Sequence, residues 1–258
     1  VGMDKQIEAI LEDHGLSEMK EDVLSTLVPC VKLKPQEEEA PGFAQSRFGG
    51  MPDWPPGMEY PHHMGKPLPF IAQFRLEEWA GLAMDMPLPP EGMLSFFCDV
   101  EALRGEKDPS NWRVIHLPSS DGLIPHPIPE EVPRESRYPE FRLIPTVEQQ
   151  LPDVEPTDGM EEIYFDLMDR LYDLEKQKGK DHQSLGYPLG LEEDVFEACR
   201  RESGIQEEEW VLLLQLDSDL EELEVEWGNR EGILTFCAPR TDVLAGRFDR
   251  TWVVMQQG

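Results

Sequence analysis

The 258 residues carry 23 Lys and Arg against 53 Asp and Glu, a formal net charge of −30. A charge of that sign and size repels nucleic acid phosphates and anionic membrane surfaces, so neither is an expected partner, whereas a basic protein is. With 39% hydrophobic residues, a mean hydropathy of −0.49 and no apolar run near the roughly 20 residues that cross a bilayer, the chain reads as a cytoplasmic globular protein, long enough to bury a core without disulfides.

Residues 4–28 predict two helices. Ile7, Ile10 and Leu11 form an i, i+3, i+4 stripe, Gly15 closes the first helix and Ser17 caps the second. The start "VGMDKQIEAILEDHG" has no apolar stretch of the secretory kind, so no signal peptide is expected. "PCVKLKP" at 29–35 alternates apolar and polar residues, a strand closed by Pro35. Residues 36–68 hold too much Gly and Pro for a long helix or a central strand. Their apolar content (Phe43, Phe48, Met51, Trp54, Met58, Tyr60) argues for an ordered loop or a series of short strands.

Strands are expected at 68–79, 92–100 and 112–117, then at 141–147 inside a proline-rich acidic stretch. Ile163, Leu167, Leu171 and Leu174 predict a helix over 159–178, stopped by Gly179, and a second helix runs from Leu191 to about Ser203. Strands follow at 210–217, 232–237 and 251–256. This order, without regular βα alternation, predicts an α+β fold with mainly antiparallel sheet. No dinucleotide-binding or phosphate-loop glycine pattern is present.

A repeat organises the chain. "SRFGGMP" at 46–52 and "SLGYP" at 184–188 each precede an apolar run ending in glutamine, "FIAQ" at Gln73 and "LLLQ" at Gln215. Each glutamine is followed by a glycine that opens a partner strand, Gly92 and Gly232. Two such strand pairs packed together can share a core that one pair cannot close. The reading is an N-terminal helical segment, 1–28, and one domain, 29–258. That domain has pseudo-symmetric halves at about 29–147 and about 181–258, joined by the helical connection 159–178.

The ordered set "SRFGGMPDWPPGMEYP", "GKPLPFIAQFRLEEW", "PPEGMLSFFCDV", "SLGYP", "WVLLLQLDSD" and "WGNREGILTFC" resembles the YwqG-like family of bacterial proteins, a domain of unknown function. The resemblance covers roughly residues 30–258. It implies an α+β fold of duplicated character and no established enzymatic activity. For some members an immunity-type role beside secreted toxins is suspected. The family has no agreed catalytic residues, so none is carried over and no cofactor is implied.

Several residues offer chemistry of their own. Asp217 and Asp219, with Glu221 and Glu222, offer oxygen ligands to a cation. The spacing is not that of a calcium loop: Glu222 stands where the turn glycine belongs and Gly228 where the closing glutamate belongs. An acidic connection after a strand is the plainer account. His62 and His63 are adjacent and point apart in most backbones, which disfavours joint chelation. His116 with Ser119, Ser120 and Asp121 lacks the sharp nucleophile turn of a hydrolase. The cysteines Cys30, Cys98, Cys199 and Cys237 have no close pairing for zinc and read as free thiols, quieted where the sequence is apolar.

Gln73 and Gln215 lie in apolar strands, so each must satisfy its amide, either on neighbouring loop backbone or on a ligand at the pseudo-symmetric centre. Arg47, Trp54, Trp227 and Arg230 are candidates for lining a cleft, the alternative for the tryptophans being core packing. The expected function is non-enzymatic binding of a basic protein, of immunity or antitoxin type. The alternatives are a small-molecule or metal-binding module with a pocket between the halves and, last, an unrecognised hydrolase.

Overall fold

The computed structural model describes residues 3–13, 15, 17–36, 44–105, 108–151, 165, 169–170, 180–206, 209–228 and 231–258. The expected helix at 159–178 falls almost wholly outside these residues. Helices α1 (Met3–Asp13) and α2 (Lys20–Ser25) precede strand β1 (Val28–Gln36). Four two-residue strands occupy the Gly- and Pro-rich region: β2 (Arg47–Phe48), β3 (Asp53–Trp54), β4 (His62–His63) and β5 (Lys66–Pro67). Then come β6 (Phe70–Arg75), β7 (Met93–Cys98), β8 (Trp112–Leu117), β9 (Ile124–Pro125) and β10 (Phe141–Gln150). The last part of the chain supplies β11 (Gln183–Ser184), α3 (Val195–Ser203), β12 (Trp210–Asp217), β13 (Gly232–Pro239), α4 (Arg240–Leu244) and β14 (Trp252–Gln257).

Ten strands form one antiparallel sheet in the order β14-β13-β12-β11-β1-β10-β2-β6-β7-β8. Its seam is the long β1–β10 pair, centred on Lys32 opposite Thr146. From the seam, each arm runs outward through a two-residue strand, β2 or β11, to a buried strand, β6 or β12. Each buried strand carries a register shift three residues before Gln73 or Gln215, beginning at Phe70 and at Leu212. The two outer edges come together. Trp112 of β8 donates its Nε1 hydrogen to the Thr251 carbonyl at 2.8 Å, and the Trp112 and Trp252 rings meet edge to face at 5.1 Å. The sheet is therefore a nearly closed barrel whose two edge strands, β14 and β8, meet through these tryptophans.

Three prolines sit in the seam against the usual rule for strands. Leu33 donates its N–H to the His182 carbonyl beside β11 at 2.8 Å. Pro29 and Pro35 share that orientation by the two-residue alternation of a strand. Because β11 reaches β1 only at Val31 and Lys32, no donor is required of either proline, and β1 continues through Pro35 to Gln36 instead of ending there. Pro145 of β10 stands in the same relation to the short β2, since Leu143 donates to the Ser46 carbonyl at 2.9 Å.

The main core fills the barrel with Phe74, Phe96, Leu214 and Phe236, all fully buried, and Phe96 meets Phe236 across the arms at 5.3 Å. A second cluster under the short strands holds Trp54, Tyr60, Phe70 and Phe97, and a third joins Ile7, Ile10 and Leu11 to Leu151. Helix α3 packs on β13 and β14. It begins at Val195, later than the apolar pattern suggests. Leu191 and Glu192 instead donate their amides to Gln256 Oε1, at 2.6 and 3.2 Å, and Asp194 then caps the helix through Glu197 N at 2.8 Å.

Candidate functional site

The two buried glutamines hold loops in place. Gln73 accepts from Asp53 N at 2.9 Å and donates to the Gln45 carbonyl at 2.9 Å. Gln215 accepts from Leu189 N at 2.7 Å and donates to the Asp181 carbonyl at 3.0 Å. Each amide thus ties the chain before its two-residue strand to the chain after it. Both are fully buried and use donor and acceptor ends on the scaffold.

The neighbours of the glutamines follow the same plan with different side chains. Ser46 Oγ accepts from Arg75 N at 3.0 Å, and His182 Nδ1 accepts from Asp217 N at 3.2 Å. That bond assigns the imidazole hydrogen to Nε2, which donates to Asp219 Oδ2 at 3.2 Å. Asp219 Oδ1 accepts from Glu221 N and Glu222 N, at 3.0 and 2.8 Å. Burial pushes the Asp219 carboxyl up, but the His182 and backbone hydrogen bonds more than offset it and leave it at about 2. Asp217 faces elsewhere, toward Lys180 at 3.9 Å, and burial raises its carboxyl. Among the described residues no group of three or more His, Cys, Asp or Glu is placed to hold a metal.

Arg47 is brought beside Gln73 by β2–β6 pairing. Its guanidinium lies 2.7 Å from Asp53 Oδ1, an ion contact outside hydrogen-bond geometry, and donates to Glu140 Oε1 at 3.0 Å. Asp53 is fully buried and takes a second bond from Gln73 Nε2 at 2.6 Å. Trp54 points into the second core cluster, edge-on to Phe97 at 5.4 Å. Arg47, Trp54 and Gln73 are therefore neighbours in the first arm, and Gln215, Asp217 and Asp219 in the second. Arg230 lies outside the described residues.

Trp227 is placed differently. Its ring is 1% exposed and packs edge-on to Phe48 at 6.4 Å and to Tyr138 at 5.5 Å. It walls a cavity of about 170 Å³ formed by the segment after β7, the segment before β10 and the β12–β13 connection. Tyr138, Glu101, Glu135, Glu224 and Glu226 line the same cavity, and all four glutamates are exposed. A second, apolar cavity of about 320 Å³ lies against Trp79, Leu82, Met84, Met86 and Leu88.

The remaining candidates are engaged separately. His62 Nδ1 contacts the Tyr60 carbonyl and His63 Nε2 lies 3.3 Å from Ser110 Oγ. His116 Nε2 lies 3.0 Å from the Glu91 carbonyl, Ser120 donates to Glu77 at 2.8 Å, and Ser119 accepts from Asp121 N at 3.1 Å, so these four residues do not form a relay. None of the four cysteines is in a disulfide and all are buried, and burial pushes the Cys98 and Cys237 thiols up.

Sequence reasoning did not single out His182, Ser46, Glu140 or Tyr138. The available signal was positional: Ser46 and His182 each precede a two-residue strand that pairs with a glutamine strand.

This arrangement is a barrel-like sheet with buried polar clamps and one acidic aromatic cavity between its arms. The family described as a domain of unknown function, DUF1963, matches residues 46–256, and the chain belongs to that family. Comparison with curated proteins finds no match.

Proposed function

We propose that this chain is a non-enzymatic cytoplasmic binding protein that docks a basic protein by stoichiometric, charge-complementary contact, in the manner of an immunity or antitoxin-type partner. The observation that carries this reading is a division of labour among the ionisable groups. The buried basic and carboxylate side chains, Arg47, Asp53, His182, Asp219 and Asp242, are occupied by their own scaffold. Four exposed carboxylates, Glu101, Glu135, Glu224 and Glu226, line the cavity between the arms, within a chain of net charge −30. Such a surface speeds encounter with a cationic partner and sets specificity. The same cavity supports a second reading, a small-molecule module.

Two further readings accompany it. We place the chain with the YwqG-like proteins on the motifs quoted above. We also read the arms as copies of one unit. What supports duplication is the matched bonding of Gln73 and Gln215, the matched register shifts, and paired left-handed backbones. Those are Gly49 at φ 63° with Leu185 at 59°, and Gly50 at 69° with Gly186 at 71°.

The test is affinity capture from the native host, read by mass spectrometry. The expected result is one basic protein at one-to-one stoichiometry, released as salt is raised. Recovery of a small molecule with no protein overturns the proposal.

A further inference from the structure

We propose that the cavity between the arms seats a guanidinium group, an arginine side chain of the basic partner. The inference rests on the binding reading above and adds to it a place and a chemistry. Tyr138 lines it half-buried, its ring held at 65° and 5.5 Å against the buried Trp227, so a fixed aromatic ring lies among the carboxylates of the cavity. The quadrupole of the Tyr138 ring attracts a cation over its face, and a planar guanidinium can also stack flat there.

The electrostatics agree. Glu135, Glu224 and Glu226 line the cavity and pair with no cation among the described residues. Glu101 has only the exposed Arg104 at 3.4 Å. Arg137, the cavity's own cation, is turned onto the carbonyls of Val132, Pro129 and Glu130 at 2.9, 3.2 and 2.9 Å. It therefore leaves the carboxylates unneutralised. A second, independent observation comes from Trp227. Its Nε1 is buried, on a residue 1% exposed, and has no acceptor among the described residues. Buried polar groups are nearly always paired, so this cavity wall holds a donor that the chain itself does not complete. A peptide segment carrying an arginine brings both a cation and main-chain acceptors.

The cavity walls are held in place by glycines, as a preformed site needs. A Cβ on Gly49 would lie 2.0 Å from the Pro139 carbonyl oxygen, and one on Gly232 would lie 1.9 Å from that of Trp227. The chain at 138–139 and at 227 is thus seated directly on backbone. Glu224 adopts φ 53°, a left-handed conformation that costs a non-glycine residue energy.

The experiment titrates the full chain with a fluorescent arginine-rich peptide, a lysine-rich peptide of equal charge, and blocked single arginine. Two double variants are compared: Glu224→Gln/Glu226→Gln at the cavity, and Glu21→Gln/Asp22→Asn on α2, which removes the same charge away from its lining. All four positions are exposed, and circular dichroism checks that each variant folds. The expected result is tight binding of the arginine peptide, weakened at least tenfold by the cavity variant and less than twofold by the α2 variant. Lysine peptide and single arginine should both bind more weakly. Equal weakening by the two variants overturns the cavity assignment and leaves the acidic-surface reading standing. Equal affinity for lysine overturns the guanidinium assignment, and equal affinity for single arginine overturns the assignment to a partner's side chain. No binding by the unaltered chain overturns the cavity inference, whereas the capture experiment decides the broader reading by itself.

Discussion

At the residue scale the fold depends on side chains whose polar atoms are fully committed. Gln73 satisfies two backbone groups and also the buried carboxylate of Asp53, which holds Arg47. Gln215 satisfies two backbone groups only. Replacing either with leucine orphans buried groups at about 1–3 kcal/mol each, more where the group is charged. Gln73→Leu should therefore lose more stability than Gln215→Leu, measured as the shift of the urea midpoint at unchanged slope; a reversed order would contradict the account of Asp53. The glutamines were legible in the sequence because an amide inside an apolar run must find partners. Their partners were not, since Asp53 and Leu189 lie twenty or more residues away along the chain. His182 was invisible for a similar reason: a lone histidine carries no signal until β11–β12 pairing brings Asp217 and Asp219 around it.

Local pattern carried the elements where burial was one-sided or complete. Strands β6, β7, β12 and β13 lie where apolar runs stand between turn residues, because a buried strand needs both faces apolar. The bounds of β1 and α3 depended on context. Pro35 stays in a strand because β11 is too short to ask for its hydrogen, and α3 starts late because Gln256 holds the preceding turn. The glycines that open β7 and β13 are packing requirements as well as turns. Gly232→Ala would drive a methyl against the Trp227 carbonyl, an overpacking cost of about 1–3 kcal/mol. Gly57→Ala meets no atom within 4 Å and bears only its left-handed φ of 78°. Thermal melts of both, with near-ultraviolet circular dichroism reporting tryptophan packing, should show the Trp227 environment disturbed in Gly232→Ala alone. Disturbance in both would argue against a specific contact.

For the whole molecule, closure of the sheet is the property that no single element contains. The last strand of each arm meets the other through Trp112 and Trp252. Trp112→Phe keeps an aromatic ring but removes the hydrogen bond to Thr251 and part of a buried indole, at a cost of about 1 kcal/mol for the bond and more for the space left. Native-state hydrogen exchange should then quicken at the amides of β8 and β14, while the β1–β10 seam keeps its protection. Faster exchange at the seam would mean that the barrel opens as one unit.

The sequence by itself determined the net charge, the apolar runs that became the buried strands, and the two glutamine-bearing strands in their order. These are properties of composition and short-range period, which the chain carries without folding. Only the tertiary structure decided that those two strands lie on either side of one seam and that Arg47 and Asp219 are spent on the scaffold. It alone also set Tyr138 against the buried Trp227 beside an acidic cavity. Each of these joins residues far apart in the chain, and contact at that range is set by strand pairing and packing, not by local pattern.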